Sequence, residues 1–255
     1  MRPYILEETN WRQIIAQKYD VAILPWGATE PHNYHLPYGT DSLEGTQIAY
    51  DSARKAWEKG AKVMVLPTIP FGVQNPGQIE MPFCLHMRPS TQIIILEDIV
   101  RALHSNGIFK LVIMNSHGGN DFKPHIRELL PKFPGMFIAL NEWFKMLPKD
   151  DFFEEEGDHA DEMETSIIMH YFPHLVLPLE EAGEGKGKGW KVEGFNNGTA
   201  WSPRRWDEVT EDTGVGNPKK SSAEKGKLFL EAVTSRIGNF LVDLSECDLN
   251  NLYHK

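Results

Sequence analysis

Short apolar runs rich in β-branched residues alternate along the chain with longer amphipathic stretches. The runs are too short for helices and carry few polar positions, which is typical of strands buried on both faces of a parallel sheet. The predicted strands span residues 21–25, 62–66, 110–114 and 136–140.

The stretches between these runs have apolar residues at helical spacing, with plausible capping residues at their ends. Strands that alternate with helices form right-handed crossover units, so the pattern predicts an α/β sandwich around a mostly parallel sheet. We find neither an internal repeat nor a linker long enough to divide the chain, and we expect residues 1–255 to form one domain. The predicted helices span residues 41–59, 90–106, 120–133, 160–171 (with Asp158 near its cap) and 221–244.

One long segment, residues 181–218, is rich in Gly, Lys, Trp and Asn and has no regular period. Two interpretations stay open: a surface excursion, or a rim or lid over a functional site. Long irregular loops in compact domains are often functional, which slightly favours the second interpretation.

Polar side chains gather where predicted strands end. Glu30, His32 and Asp41 follow the first strand, His117 follows the third, and an acidic and histidine-containing cluster at residues 158–166 opens the fourth helix. Functional sites of open parallel sheets form at the carboxyl ends of the strands. We therefore expect these side chains to lie near one another.

The residue types in these loops are typical of a metal site. Glu30 and His32 lie two apart, so in extended backbone both side chains point the same way, within about 7 Å. Asp41 could bridge two ions, or could simply cap the helix that it opens. A mixture of imidazole and carboxylate suits zinc, manganese or iron better than calcium or magnesium, and the common location favours a two-ion site.

The composition and charge of the chain limit the classes of binding partner that we expect. The net charge of −10 argues against nucleic acid, because phosphate binding needs a basic face. No apolar run approaches the roughly 18 residues of a membrane span, and we see no signal peptide, so we expect a cytoplasmic protein without a membrane partner. Two cysteines, Cys84 and Cys247, do not make a disulfide framework.

Five segments in order resemble motifs of one family. The string TEPHNYHLPYGTD, residues 29–41, resembles the E-x-H…H-L-P-x-G-T-D signature of the creatininase (creatinine amidohydrolase) family. The resemblance extends over roughly residues 15–240. The other similar segments are LPTIPFGV at residues 66–73, MNSHGGN at 114–120, DHADEMETS at 158–166 and TGVGNPKKSSAEKGK at 213–227.

The resemblance implies a three-layer α/β/α sandwich, assembled into a hexamer, with two divalent ions in each subunit. It implies that Glu30 and His117 bind one ion, that His32 binds the second and that Asp41 binds both. The activity implied is amidohydrolase: a hydroxide between the ions attacks an amide, formamide or lactam carbonyl of a small molecule.

The chain departs from the family at one ligand. Creatininase has a glutamate two residues after the histidine that matches His117, and this sequence has Gly119 there. We expect Glu164 to take its place, because its helix faces the same cleft; the alternative is a first-turn carboxylate that interacts with the helix dipole. The departure also motivates another function: a non-catalytic binding or assembly subunit with an incomplete metal site.

His159 matches the histidine thought to transfer a proton in the family. A histidine with a near-neutral pKa can protonate a leaving nitrogen, although a solvent-facing residue at the helix start is the alternative. Asp158 could orient the imidazole or contact the substrate.

The candidate substrate-binding residues are Gln74, Gly118 and His35. Gln74 follows the Gly-Val pair of one motif, and Gly118 stands where creatininase has an aromatic residue. His35 lies in the first loop, where the alternative to substrate contact is support of the residues around the metals. An acidic run at residues 154–156 replaces tryptophans of the family. Because these changes concern the pocket and not the metals, we expect hydrolysis but not creatinine as substrate.

Overall fold

A central sheet of four parallel strands organises the chain. The computed structural model describes residues 2–253. The strands are β1 (Val21–Trp26), β2 (Val63–Val65), β3 (Lys110–Asn115) and β4 (Phe137–Glu142), in the order β2-β1-β3-β4. A separate antiparallel pair consists of β5 (Gly157–His159) and β6 (Val215–Gly216).

Helices cover both faces of this sheet. No helix in the described part of the chain is both long enough and apolar enough to cross a bilayer. The helices are α1 (Trp11–Ile15), α2 (Thr40–Glu58), α3 (Pro89–Ser105), α4 (Lys123–Leu129), α5 (Glu162–Tyr171), α6 (Glu193–Asn196), α7 (Trp206–Val209) and α8 (Ala223–Glu246).

The side chains of β1 show how the layers form. Val21 and Ile23 belong to the core under α2, α5 and α8, whereas Ala22 and Leu24 belong to the core under α3 and α4. Successive strand residues point to opposite faces, so a continuous apolar run supplies two cores at once. Each fully buried large aliphatic side chain contributes about 1.5–3 kcal/mol. The expected three-layer α/β/α sandwich is therefore confirmed.

The packing of α8 on α5 depends on a close backbone approach. A Cβ atom on Gly226 would lie only 2.0 Å from the carbonyl oxygen of Ser166. The helix begins after Ser222, whose hydroxyl accepts a hydrogen bond from Lys225 N at 3.2 Å. The close contact between Gly226 and Ser166 fixes the position of α5, which carries Glu164.

Two helix starts show why observed boundaries differ from the predicted ones. The helix predicted from residue 120 begins at Lys123, because the Asn120 side chain bonds Val73 N at 3.1 Å and Asn115 Oδ1 at 3.0 Å and so holds a loop. The helix predicted from residue 160 begins at Glu162; its cap is Asp161, and Asp158, predicted near the cap, lies in β5. The prediction was wrong because β5 and β6 pair across residues far apart in sequence.

Candidate metal centre

The five predicted ligands meet beyond the carboxyl ends of the strands, and all five are buried. They arrive from four parts of the chain, because the loops after β1 and β3 and the first turns of α2 and α5 converge at this edge of the sheet. The residues are Glu30 and His32 after β1, Asp41 in α2, His117 after β3 and Glu164 in α5.

These side chains form two groups that share Asp41. Glu30, Asp41 and His117 offer ligand atoms that lie within 4.8 Å of one another, and so do His32, Asp41 and Glu164. Asp41 Oδ1 lies 2.9 Å from His32 Nε2, and Oδ2 lies 3.0 Å from His117 Nδ1. A carboxylate with one oxygen toward each group is the arrangement that two bridged ions require.

Main-chain carbonyl oxygens fix the proton positions on both histidines. His32 Nδ1 donates to Glu30 O at 3.0 Å, and His117 Nε2 donates to Val73 O at 2.8 Å. A carbonyl oxygen only accepts, so these ring nitrogens carry the protons. The opposite ring nitrogens face the carboxylates, as in metal-binding histidines generally.

The charge balance of the centre calls for cations. Burial lowers the pKa of His32, but Asp41, Glu164 and Glu30 outweigh it and raise the value to about 10. Burial raises the pKa of Glu164 to about 8, against the opposing effect of His32. Buried carboxylates packed this closely need protons or metal ions between them.

One contact tests directly whether the residues fit a metal. Asp41 Oδ2 is buried and makes no hydrogen bond with any described residue, although His117 Nδ1 lies 3.0 Å away. Because the other nitrogen of His117 holds one ring proton, either a second proton or a cation must lie between the two atoms. Burial lowers the pKa of His117, but Glu30 and Asp41 outweigh burial and raise this pKa well above its ordinary value. A cation beside both satisfies them, so the donor set fits divalent metal ions.

Glu44 is a buried acid that sequence reasoning missed. It follows Asp41 by one turn of α2, is fully buried, and its carboxyl oxygens make no hydrogen bond with the described residues. Burial, with the nearby charges of Glu164 and Asp41, raises its pKa well above the ordinary value. Burial and these charges therefore favour the protonated, neutral form of Glu44.

His159 lies inside the centre and not on a solvent-facing helix. It belongs to β5, is buried, and its Nε2 donates to Pro31 O at 2.9 Å. Its Nδ1 lies 3.7 Å from Glu30 Oε1, and its ring contacts His32 with a centroid distance of 4.1 Å. Burial and His32 lower the pKa of His159, so the ring is neutral at neutral pH.

Asp158 has a different partner from the one that we expected. Its carboxylate pairs with Arg204 at 2.9 Å, and its side chain is 55% exposed. The contact that orients His159 comes from Pro31 O instead. Asp158 does line the cavity in front of the centre, where it can contact a substrate.

That cavity has a volume of about 700 Å³ and reaches the buried ligands. Gln74 and Gly118 line it, although both amide atoms of Gln74 are shielded from water and unbonded within the described chain. His35 does not line it: the residue is buried, with Nε2 2.8 Å from Thr165 Oγ1 of α5. His35 therefore supports the helix that carries Glu164 and does not face the substrate.

The irregular segment at residues 181–218 forms part of the cavity rim. Trp206 of α7 is 2% exposed and meets the His159 ring edge-on at 5.2 Å, and the Arg204 guanidinium lies 4.7 Å from the Trp206 ring. Sequence reasoning gave neither residue a role, since an aperiodic segment offers only its tryptophans as a signal. The segment residues that line the cavity are Trp201, Ser202, Pro203, Arg204 and Trp206.

The acidic run at residues 154–156 does not line this cavity. Glu154 and Glu155 instead pair with Lys220 at 3.3 and 2.8 Å. The expectation that the run replaces pocket tryptophans was wrong, because the tryptophans of this cavity come from the later segment.

The chain is similar to known proteins over most of its length. Residues 7–241 match the sequence profile of the creatininase family, described as creatinine amidohydrolase. The chain belongs to the creatininase family. A protein from Bacteroides fragilis, provisionally assigned as a creatinine amidohydrolase, has a similar structure, with a TM-score of 0.94 and 46% identity over 98% of this chain and 99% of that one.

More distant relatives differ in activity. The 3-dehydro-scyllo-inosose hydrolase of Thermotoga maritima is 27% identical over 250 residues, 89% of this chain and 78% of that protein. Creatinine amidohydrolase of Pseudomonas putida is 26% identical over 257 residues, 91% of this chain and 94% of that protein. Solved creatininases include a manganese form and a zinc–zinc mutant form; at 21% identity and a TM-score of 0.77 over 96% of this chain and 99% of theirs, they show the fold alone.

Proposed function

We propose that the protein is a metal-dependent amidohydrolase that cleaves an amide, formamide or lactam C–N bond in a small molecule. The observation that carries this proposal is the pair of buried ligand groups that share Asp41. Family membership supports it, since the named relatives are hydrolases and creatininases occur in zinc and manganese forms. Two divalent ions, of zinc, manganese or iron, are the proposed cofactors.

The chain supplies all the ligands that the proposal needs. Glu30 and His117 would hold one ion, His32 and Glu164 the other, and Asp41 both. When bound, the ions supply Lewis acidity for a carbonyl and activate water at neutral pH. Glu164 thus stands in for the glutamate that Gly119 replaces, although it completes the His32 group and not the His117 group.

His159 is the proposed proton carrier. Its Nε2 is committed to Pro31 O, so only Nδ1 is free to take a proton on the side of Glu30. A neutral buried imidazole can accept a proton from water and pass it to the leaving nitrogen, a role that typically contributes about 10²- to 10⁴-fold in rate. His159 also forms a ligand group with Glu30 and His32, so metal content must be measured alongside rate.

The cavity suits a small polar ring compound. Its volume of about 700 Å³ lies in the range of small-molecule sites, and its lining combines aromatic Trp201 and Trp206 with polar Asp158 and Arg204. This polar lining, with the cyclic polyol derivative named for the Thermotoga maritima relative, favours a second candidate: hydrolysis of a polyhydroxylated ring compound.

The test is metal dependence of hydrolysis. Protein purified without chelator should carry about two ions per chain and hydrolyse members of a panel of amides, formamides, lactams and polyol ring ketones. Dialysis against chelator should abolish the activity, and Zn²⁺, Mn²⁺ or Fe²⁺ should restore it. Hydrolysis that resists the chelator would contradict the mechanism. At most one ion together with no hydrolysis would favour the non-catalytic subunit.

We also propose a cytoplasmic homo-oligomer, with a hexamer as the state that family analogy suggests. Size-exclusion chromatography with light scattering distinguishes it from a monomer of 29.1 kDa.

A further inference from the structure

The two carboxylate oxygens of Glu30 have different surroundings. Oε1 faces the centre, 3.0 Å from His117 Nδ1 and 3.7 Å from His159 Nδ1. Oε2 faces away and accepts a hydrogen bond from the side-chain amide of Gln78, which is 1% exposed. Gln78 matches none of the motifs that point to the site.

The orientation of the Gln78 amide is fixed by its own loop. Asn75 N donates to Gln78 Oε1 at 3.4 Å, and Gln78 N donates to Asn75 O at 3.1 Å. Because a backbone N–H needs an acceptor, the amide oxygen must face Asn75 and the NH₂ group must face Glu30.

The loop is held from its other side by α7. Trp206 N donates to Pro76 O at 2.8 Å. Gly77 has φ +80, and a Cβ atom there would lie 1.9 Å from Asp207 Oδ1, so only glycine fits between the loop and the helix. Gln78 is thus fixed between the metal centre and the cavity rim.

We propose that Gln78 is a positioning residue that keeps Glu30 a ligand through Oε1 alone. Carboxylates bind ions through one oxygen or two, and a donor on the second oxygen favours the first mode. With Glu30 restricted in this way, an ion held by Glu30 and His117 would keep a coordination position for water or substrate. The inference rests on the proposed function, because it presupposes a metal at this centre.

The test measures metal binding, which does not depend on knowing the substrate. Gln78→Leu removes the donor and retains most of the volume. By titration against a chromogenic chelator, we expect Zn²⁺ to bind about 10- to 100-fold more weakly at one of the two sites. The visible spectrum of the Co²⁺-loaded variant should also change, since a two-oxygen Glu30 alters the coordination number.

Two further variants separate positioning from general damage. Thr234→Val removes a buried side-chain donor of α8, which bonds Leu230 O and touches no predicted ligand; its Zn²⁺ affinity and Co²⁺ spectrum should match wild type. Gln78→His restores an N–H donor at similar reach and should recover most of the affinity.

Equal Zn²⁺ affinity and an unchanged Co²⁺ spectrum in Gln78→Leu and wild type would overturn the inference and leave the proposed function standing. So would an equal loss in Gln78→Leu and Thr234→Val. Wild type that binds no metal at all would instead overturn the proposed function, and the inference with it.

Discussion

Glu164 shows how one carboxylate serves the helix and the centre together. Its Oε2 accepts a hydrogen bond from Ala160 N before α5 and also lies 3.9 Å from His32 Nε2. Asp161 caps the same turn by accepting from Glu164 N at 3.0 Å. The first-turn role and the ligand role that the sequence left as alternatives are therefore compatible, and only metal content distinguishes a ligand from a capping residue.

Glu164→Ala should lower the metal content from about two ions per chain to about one, because the His32 group loses one of its three ligands. Elemental analysis of protein purified without chelator measures this. Glu224→Ala removes another first-turn glutamate, exposed on α8, and should leave the content unchanged. Two ions retained in Glu164→Ala would show that the residue is only a cap.

His159→Gln should reduce kcat about 10²- to 10⁴-fold while the metal content stays at the wild-type level, because a proton carrier is lost and a ligand is not. Steady-state kinetics on whichever panel substrate is hydrolysed, with metal analysis of the same samples, tests both parts. His170→Gln, an exposed histidine on α5, is the control. Loss of an ion in His159→Gln would make His159 a ligand.

At the scale of elements, α8 packs against α5 and α2 at two glycines. One of these glycines is packed more closely against its neighbour than the other. Gly226 meets the Ser166 carbonyl, which is backbone and cannot move aside. Gly238 meets Lys55 Cβ at 3.0 Å and Ser52 O at 3.4 Å, contacts that a small shift relieves. The same helix thus offers a matched pair of substitutions.

Gly226→Ala should lower the free energy of unfolding by about 1–3 kcal/mol, since overpacking exceeds the helix-propensity gain of alanine. Gly238→Ala should stay within about 1 kcal/mol of wild type. Urea unfolding of both variants measures the difference. Equal effects would mean that the α5–α8 contact adapts easily and does not fix Glu164.

The sheet and its ligand loops were predictable because their signals are local. The apolar run of β1 and the loop carrying Glu30 and His32 need only strand alternation and the rule for strand ends. The pairing of β5 with β6, the partner of Asp158 and the contact of Gln78 with Glu30 all join residues more than 45 positions apart. No local period or cap encodes such contacts, so the sequence alone could not supply them.

At the scale of the molecule, the centre ties together segments that are distant in the chain. Its ligands lie between Glu30 and Glu164 and belong to the loops of two strands and the starts of two helices. In the unfolded chain they have no fixed geometry, so ions that bind the folded centre stabilise the whole fold.

Metal should therefore raise the melting temperature. An ion concentration 100-fold above Kd adds about 2.7 kcal/mol, or roughly 5–11 °C for a chain of this size. Calorimetry of chelator-treated protein, before and after adding Zn²⁺ or Mn²⁺, measures the shift, which should be smaller in Glu164→Ala. An unchanged melting temperature in protein shown to bind the ions would contradict the coupling between binding and folding.

The histidines of the centre take their ring contacts from the main-chain oxygens of Glu30, Pro31 and Val73. Every amino acid carries the same carbonyl group, so a point substitution at position 31 or 73 does not delete it. The cavity walls can therefore change residue by residue during evolution while the protonation pattern is inherited intact. Substrate selectivity can therefore diverge while the histidines of the centre keep the same ring protonation.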